Sequence, residues 1–231
     1  MSANKIPISH AVAFVSQKYS SIKPRRTWLN LNIIQVESNR QAFCQLFKAY
    51  CKLYHKTITG QDDFDLQITE LFRKKLDFIY SYLTEEQSNK GLLIFGGYGT
   101  GKTMTLWTLK QMIKLFNTKF EAIMLSSWQI VEKYQRMIEA KDYITLDNFK
   151  NTQLFIIDDL GTEANAEINV FGNRLKPIES LIEHRYRKGL WTWITTNYSL
   201  TQLTEIYSGY TIDRLRQMVY FIHFDWESYR R

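Results

Sequence analysis

The residues whose spacing could do chemistry begin at Gly96. Gly96-Gly97-Tyr98-Gly99-Thr100-Gly101-Lys102-Thr103 follows G-x-x-x-x-G-K-T in full. Glycines at these positions let the backbone wrap a phosphate group without Cβ clashes. Successive N–H groups and the N-terminus of a following helix then face the negative charge. Lys102 is placed to reach the β- and γ-phosphates, and the Thr103 hydroxyl to ligate magnesium. The bland alternative is a glycine-rich turn that happens to end in Lys-Thr. That alternative requires no flanking elements, yet an apolar strand pattern (Leu92 to Phe95) precedes the loop and an amphipathic helix pattern (Lys102 to Phe116) follows it. The expected ligand is ATP with Mg2+.

A second constellation lies downstream. Leu154-Phe155-Ile156-Ile157-Asp158-Asp159 is a dry run ending in two carboxylates. In open α/β sheets, ligands bind at the carboxyl ends of the strands. Asp158 is expected to hold the magnesium shell. Asp159 is expected to orient or deprotonate an attacking water. An Asp-rich turn after an ordinary strand is the competing reading, and the complete phosphate loop weighs against it. Thr195-Thr196-Asn197 closes another apolar run, where a neutral amide can position water near the γ-phosphate or simply sit in a loop. Asp213-Arg214-Leu215-Arg216 precedes the last apolar run, where an arginine can stabilise transition-state charge on a neighbouring subunit's ATP or form a surface ion pair. Spacing alone leaves both pairs of readings open.

The elements that must position these groups read as follows. Phe43, Leu46, Phe47, Tyr50, Leu53 and Tyr54 recur at helical spacing, with Thr59-Gly60 as the stop. Ile68, Phe72, Leu76, Ile79 and Leu83 mark a second helix. Ser20 to Arg26 reads as a basic loop, and Ser88 to Gly91 as a break. Beyond it, short apolar runs alternate with helical patterns, the grammar of βαβ units. Strands are expected at Leu92–Phe95, Phe120–Leu125, Leu154–Ile157, Trp191–Thr196 and Val219–Phe224. Ser126 or Ser127 is expected to cap a helix, and Pro177 to open one that Gly189 ends. The expected division is a helical, partner-binding N-terminal region over 1–88 and a nucleotide-binding domain over 89–231.

Composition narrows the class. The 231 residues are 45% hydrophobic with a net charge of +7, enough apolar content for a core and a basic excess that fits nucleic acid. The cysteines number two, Cys44 and Cys51, which is no disulfide framework. The Ala11–Val15 patch is too short for a signal-peptide core, and no run reaches membrane-spanning length. A cytoplasmic protein without a membrane partner is expected.

Taken together, the segments resemble the helicase-loader (DnaC-type) and insertion-sequence ATP-binding (IstB-like) branch of the AAA+ ATPases. The resemblance runs from about residue 90 onward. It rests on Gly96–Thr103, Ile156-Ile157-Asp158-Asp159-Leu160-Gly161, Glu183-His184-Arg185-Tyr186-Arg187, Ile194-Thr195-Thr196-Asn197 and Asp213-Arg214-Leu215. Phe224-Asp225-Trp226-Glu227-Ser228-Tyr229-Arg230 is similar to the tail of DnaC-type loaders. The resemblance implies a P-loop NTPase fold of the ASCE/AAA+ kind: a five-stranded parallel sheet flanked by helices, a small helical N-terminal region, and no C-terminal lid. It implies Asn197 as sensor 1 and Arg214 as an arginine finger acting in trans. It further implies ATP hydrolysis, single-stranded DNA as a ligand, side-by-side assembly through ATP interfaces, and a replicative helicase or a transposase as partner. Asp159 departs from the glutamate common across AAA+ proteins, and Asn165–Asn173 is longer than in typical loaders.

Weaker signals compete with plain packing. Cys44, Cys51 and His55 lie near one helix face, but zinc ligands usually include a close pair, and core packing is the expected role. Lys133, Arg136, Lys141 and Lys150, interleaved with Tyr134 and Tyr143, form either a single-strand groove or a solvated face with core tyrosines. Two other classes share the phosphate loop: a small-molecule kinase, which the Thr-Thr-Asn and Asp-Arg-Leu segments oppose, and a nucleotide-dependent scaffold with negligible turnover.

Overall fold

A computed structural model describes residues 38–84, 91–116, 118–164, 166–170 and 172–229. The basic loop at Ser20–Arg26, the Ala11–Val15 patch and the expected boundary at 88–89 lie outside the described residues. The described chain falls into two compact units.

The first unit holds α1 (Ser38–Thr59), α2 (Glu70–Thr84) and the stretch Trp107–Phe120. The apolar stripe of α1 becomes its buried face: Phe43, Leu46, Phe47 and Cys51 are all buried. Phe43 meets Tyr80 edge-on at 5.4 Å, and Phe47 meets Phe72 at 6.0 Å. Tyr54 lies 5.2 Å from Trp107, and Cys51 Sγ is 3.5 Å from Thr108 Oγ1. Burial pushes the Cys51 thiol up to about 12, so it behaves as a small apolar group. His55 stacks on Phe64 at 4.6 Å. The helix stops where the Thr59 hydroxyl donates to His55 O and Gly60 turns to a φ of 74°. Ile68 falls before α2 rather than on it.

The second unit is built on a five-stranded parallel sheet. Its strands are β1 (Gly91–Gly96), β2 (Ala122–Ser126), β3 (Leu154–Asp158), β6 (Trp191–Thr196) and β7 (Val219–Phe224), in the order β2-β3-β6-β1-β7. The central strands are near-continuous apolar runs because both faces are covered; Leu154 to Ile157 are fully buried. Helices α3 (Lys102–Phe116), α4 (Ser127–Glu139), α5 (Tyr143–Lys150), α6 (Pro177–Arg187), α7 (Leu200–Ile206) and α8 (Gly209–Met218) connect the strands; the division into units falls within α3, between Leu106 and Trp107. Ser126 is the cap of α4: its side chain accepts from Gln129 N, and the Gln129 side chain accepts from Ser126 N. A short antiparallel pair, β4 (Ile168–Val170) with β5 (Asn173–Leu175), occupies the long segment after the acids. The expected strand at Phe120 begins instead at Ala122.

Sheet order matters for the site. β6 lies between β1 and β3, so whatever ends β6 lies between the phosphate loop and the two acids. Among the described residues no helix is long and apolar enough to cross a membrane.

Candidate functional site

The phosphate loop leaves β1 through a conformation that requires glycine. Gly96 has a φ of 150°, and a Cβ there would lie 2.2 Å from the carbonyl oxygen of Phe224. The register that pairs Gly96 with Phe224 brings β7 that close. Gly99 (φ 74°) and Gly101 (φ 89°) add two further left-handed turns, the latter directly before α3. Lys102 is buried, and its Nζ donates to Gly96 O at 2.9 Å and Gly97 O at 2.6 Å. A polyphosphate in the loop would compete with those carbonyls for the same ammonium.

Asp158 ends β3 with two hydroxyls on one oxygen. Thr103 Oγ1 donates to Asp158 Oδ1 at 2.9 Å, and Thr195 Oγ1 donates to the same atom at 2.5 Å. Burial raises the Asp158 carboxyl above its ordinary range, and the charge of Asp159 pushes the same way; the Thr195 and Thr103 hydroxyls and the Lys102 charge oppose them. Hard oxygen donors at the mouth of a phosphate loop suit magnesium, which binds through one or two protein oxygens plus phosphates and water. Thr103 and Asp158 fit that role.

Asp159 leaves the strand at a φ of 53°. A non-glycine residue in the left-handed region is uncommon, though Asp tolerates it better than most. Its backbone is pinned on both sides: the N–H donates to Thr195 Oγ1 at 2.9 Å, and the carbonyl accepts from Ser127 Oγ at 3.0 Å and Thr162 Oγ1 at 2.9 Å. Asn197 Nδ2 donates to Asp159 Oδ1 at 3.4 Å. Asp158, Asp159, Asn197 and Thr103 thus form one hydrogen-bonded cluster, with Thr195 at its centre. Asn197 is the expected polar residue at the end of β6; Thr195, two residues earlier in the same Thr-Thr-Asn run, carries more of the contacts.

Arg214 stands apart from this cluster, on α8. Its guanidinium carbon lies 4.4 Å from the Tyr186 ring centroid and 4.2 Å from that of Tyr210. Nε faces Glu183 Oε2 at 3.7 Å, and Nη1 donates to Asp213 Oδ2 at 3.3 Å. Tyr210 Oη donates to Glu183 Oε1 at 2.8 Å, and Tyr186 Oη to Gln217 Oε1 at 2.5 Å. The arginine retains 21% side-chain exposure. Arg214 thus makes ion pairs with Glu183 and Asp213 and also rests between two rings; Glu183 and Tyr186 lie in a motif visible in the sequence, whereas Tyr210 comes from a second helix.

Arg185 is fully buried. It donates to the carbonyls of Lys150 (2.7 Å), Thr152 (2.9 Å) and Trp191 (2.5 Å), and to Thr192 Oγ1 (2.9 Å). Burial lowers its pKa to about 9, and its partners are what makes a buried guanidinium tolerable. Of the suspected single-strand groove, Tyr134 belongs to the core at 1% exposure, while Tyr143 is 47% exposed beside Lys141. Tyr134 is therefore a packing residue: it meets Phe149 edge-on at 6.1 Å. Among the described residues, no group of three His, Cys, Asp or Glu side chains could hold a metal.

The fold and the loop motif are those of an α/β P-loop module. Within that class the likeness is to the DnaC-type helicase loaders. The chain is 25% identical over 134 residues to the replicative helicase loader DnaI of Bacillus subtilis, covering 58% of this chain and 41% of that protein, less than half its length. Its fold is similar to a crystal structure of the DnaC helicase loader, with a TM-score of 0.57 and 20% identity, over 70% of this chain and 94% of the other. It is also similar to the replication initiator DnaA bound to AMPPCP and single-stranded DNA, with a TM-score of 0.52 and 16% identity, over 70% of this chain and 49% of that one. No family model matches the chain.

Proposed function

We propose that the protein is a magnesium-dependent ATPase that loads a replicative helicase onto single-stranded DNA, working in the cytoplasm as a side-by-side assembly with ATP at subunit interfaces. The observation that carries the ATPase reading is the 2.9 Å contact between Thr103 Oγ1 and Asp158 Oδ1, which joins the phosphate loop to the acid pair. The loop's N–H groups and Lys102 bind the β- and γ-phosphates. Magnesium, when bound at Thr103 and Asp158, neutralises charge developing on the phosphate oxygens. Asp159 takes a proton from, or orients, the attacking water, and Asn197 holds the Asp159 carboxylate in place. Arg214 of a neighbouring subunit meets the transferred phosphoryl group. The N-terminal region carries the partner contact. The helicase partner is supported by the likeness to DnaI and DnaC loaders, and the DNA ligand by the DnaA neighbour.

Two measurements test this. Lys102→Ala removes charge-assisted bonds of about 1.5–3 kcal/mol, so affinity for a fluorescent ATP analogue should fall roughly ten- to hundredfold. Unchanged affinity in a folded variant removes the phosphate-loop assignment. Tagged protein incubated with ATP should capture a hexameric replicative helicase; capture of a transposase instead moves the protein to transposition.

A further inference from the structure

The segment after β7 touches the phosphate loop twice. Tyr229 N–H donates to Gly99 O at 2.9 Å, and Trp226 Nε1 donates to Thr100 O at 3.1 Å. The Tyr229 ring lies against Gly101, where a Cβ would come within 3.7 Å of it. Trp226 is itself seated on Phe224, with ring centroids 4.3 Å apart. Phe224 ends the strand paired with Gly96, so this segment starts beside the loop's own first residue.

A peptide unit is planar and trans, so the carbonyl of one residue and the N–H of the next point in opposite directions. Fixing Gly99 O outward therefore turns the Thr100 N–H inward, and fixing Thr100 O outward does the same for the Gly101 N–H. Those amides belong to the set that cradles phosphate in a loop of this kind. The flanking carbonyls have other partners: Gly96 O and Gly97 O accept from Lys102, and Gly101 O accepts from Thr105 N–H within α3. With φ of 74° at Gly99 and 89° at Gly101, the loop is built of residues with wide conformational freedom. Within the loop the Thr100 hydroxyl donates to Gly97 O at 2.9 Å; the Gly99 and Thr100 carbonyls are met from the segment after β7.

We propose that residues 225–229 form a brace that orients the phosphate-binding amides from behind, with Trp226 and the Tyr229 backbone as positioning groups for the nucleotide's phosphates. This rests on the nucleotide-binding reading above. The brace touches no phosphate itself; it acts through the Thr100 and Gly101 peptides. By linkage, a brace that favours phosphate binding must be stabilised by phosphate binding to the same degree.

Trp226→Phe keeps an aromatic ring on Phe224 and removes the N–H donor. One neutral hydrogen bond corresponds to about a three- to tenfold change in affinity, and the brace should show that loss for ADP and for inorganic pyrophosphate alike, in a variant that circular dichroism shows to be folded. Loss for ADP but not pyrophosphate overturns the proposal, because Trp226 then serves the base or ribose. Equal binding of both by variant and wild type overturns it too. Should the variant fail to fold, hydrogen exchange on the unmodified chain decides: magnesium and ADP should slow exchange at the Tyr229 amide, and no slowing at saturating ADP overturns the brace. A wild-type chain that binds neither ADP nor pyrophosphate overturns the nucleotide-binding reading and the brace together, a different result from a binding-competent wild type with an indifferent Trp226→Phe.

Discussion

Asp158 is held by hydroxyls that reach it from α3 and β6, whereas Arg214 is held by the faces of two rings and by acids of α6 and its own helix. The first arrangement is directional. Two short hydrogen bonds on one oxygen fix the carboxylate relative to the phosphate loop, as a ligand met at a fixed distance requires. The second is less so: beside the hydrogen bond to Asp213 and the 3.7 Å approach to Glu183, the guanidinium rests between two ring faces, whose attraction has no single donor–acceptor line. The difference separates an acid fixed beside the phosphate loop from an arginine held between rings, the one proposed above to act in trans.

The sharpest way to break that comparison is Arg214→Ala. Loss of a finger lowers hydrolysis by about 10³-fold or more, while nucleotide binding to the isolated subunit stays nearly intact. Mixing this variant with Lys102→Ala protein should restore part of the activity in a dose-dependent way, because one interface in the mixture is whole. No recovery across ratios, with co-assembly shown by cross-linking, places Arg214 within its own subunit.

Next in size is Asp159→Asn. General-base assistance contributes about 10²–10⁴-fold, so turnover should collapse while ATP and magnesium still bind through Lys102, Thr103 and Asp158. Single-turnover hydrolysis with single-stranded DNA present is the measurement, and wild-type turnover would remove Asp159 from the chemistry.

The smallest effect concerns the cage. Tyr210→Leu removes one ring and the bond to Glu183 but leaves the arginine in place. An exposed cation–π contact is about 0.5–1 kcal/mol, so steady-state ATPase should fall only two- to fivefold, by roughly the corresponding Boltzmann factor. A loss as large as that of Arg214→Ala would mean that the cage belongs to the site itself.

How much of this was legible in the sequence depended on the range of the interactions involved. The bounds of α3, β6 and β7 coincide with the apolar runs read from the sequence. The phosphate loop is a local motif and could be read whole. The helices α5, α7 and α8 span 8, 7 and 10 residues, too short for periodicity to separate them from loops. The three-residue strands of the β4–β5 pair are shorter still. Thr195 was hidden because its role depends on β6 lying between β1 and β3, a fact of sheet order that no local pattern carries. Tyr134 and Tyr143 read alike in sequence; only packing on Phe149, which in turn meets Phe155 edge-on, separates the core ring from the exposed one. The Glu183–Tyr186–Tyr210 cage needed two helices side by side.

Arg185 has a consequence for the distant end of the strand it anchors. Its fork grips the chain where β3 begins, at Lys150, Thr152 and, more loosely at 3.5 Å, Gln153, and ties it to Trp191 and Thr192 at the start of β6. That grip works as the zero mark of a ruler. β3 is five residues long, so the zero mark dictates which residue reaches the mouth of the phosphate loop. A slip of one position would exchange the two faces of the strand and bring Ile157 to the place of Asp158, leaving the Thr103 and Thr195 hydroxyls facing a hydrocarbon. A lysine in place of Arg185, carrying the same charge on a single point, could not hold both strand starts at once, and the ruler would lose its origin.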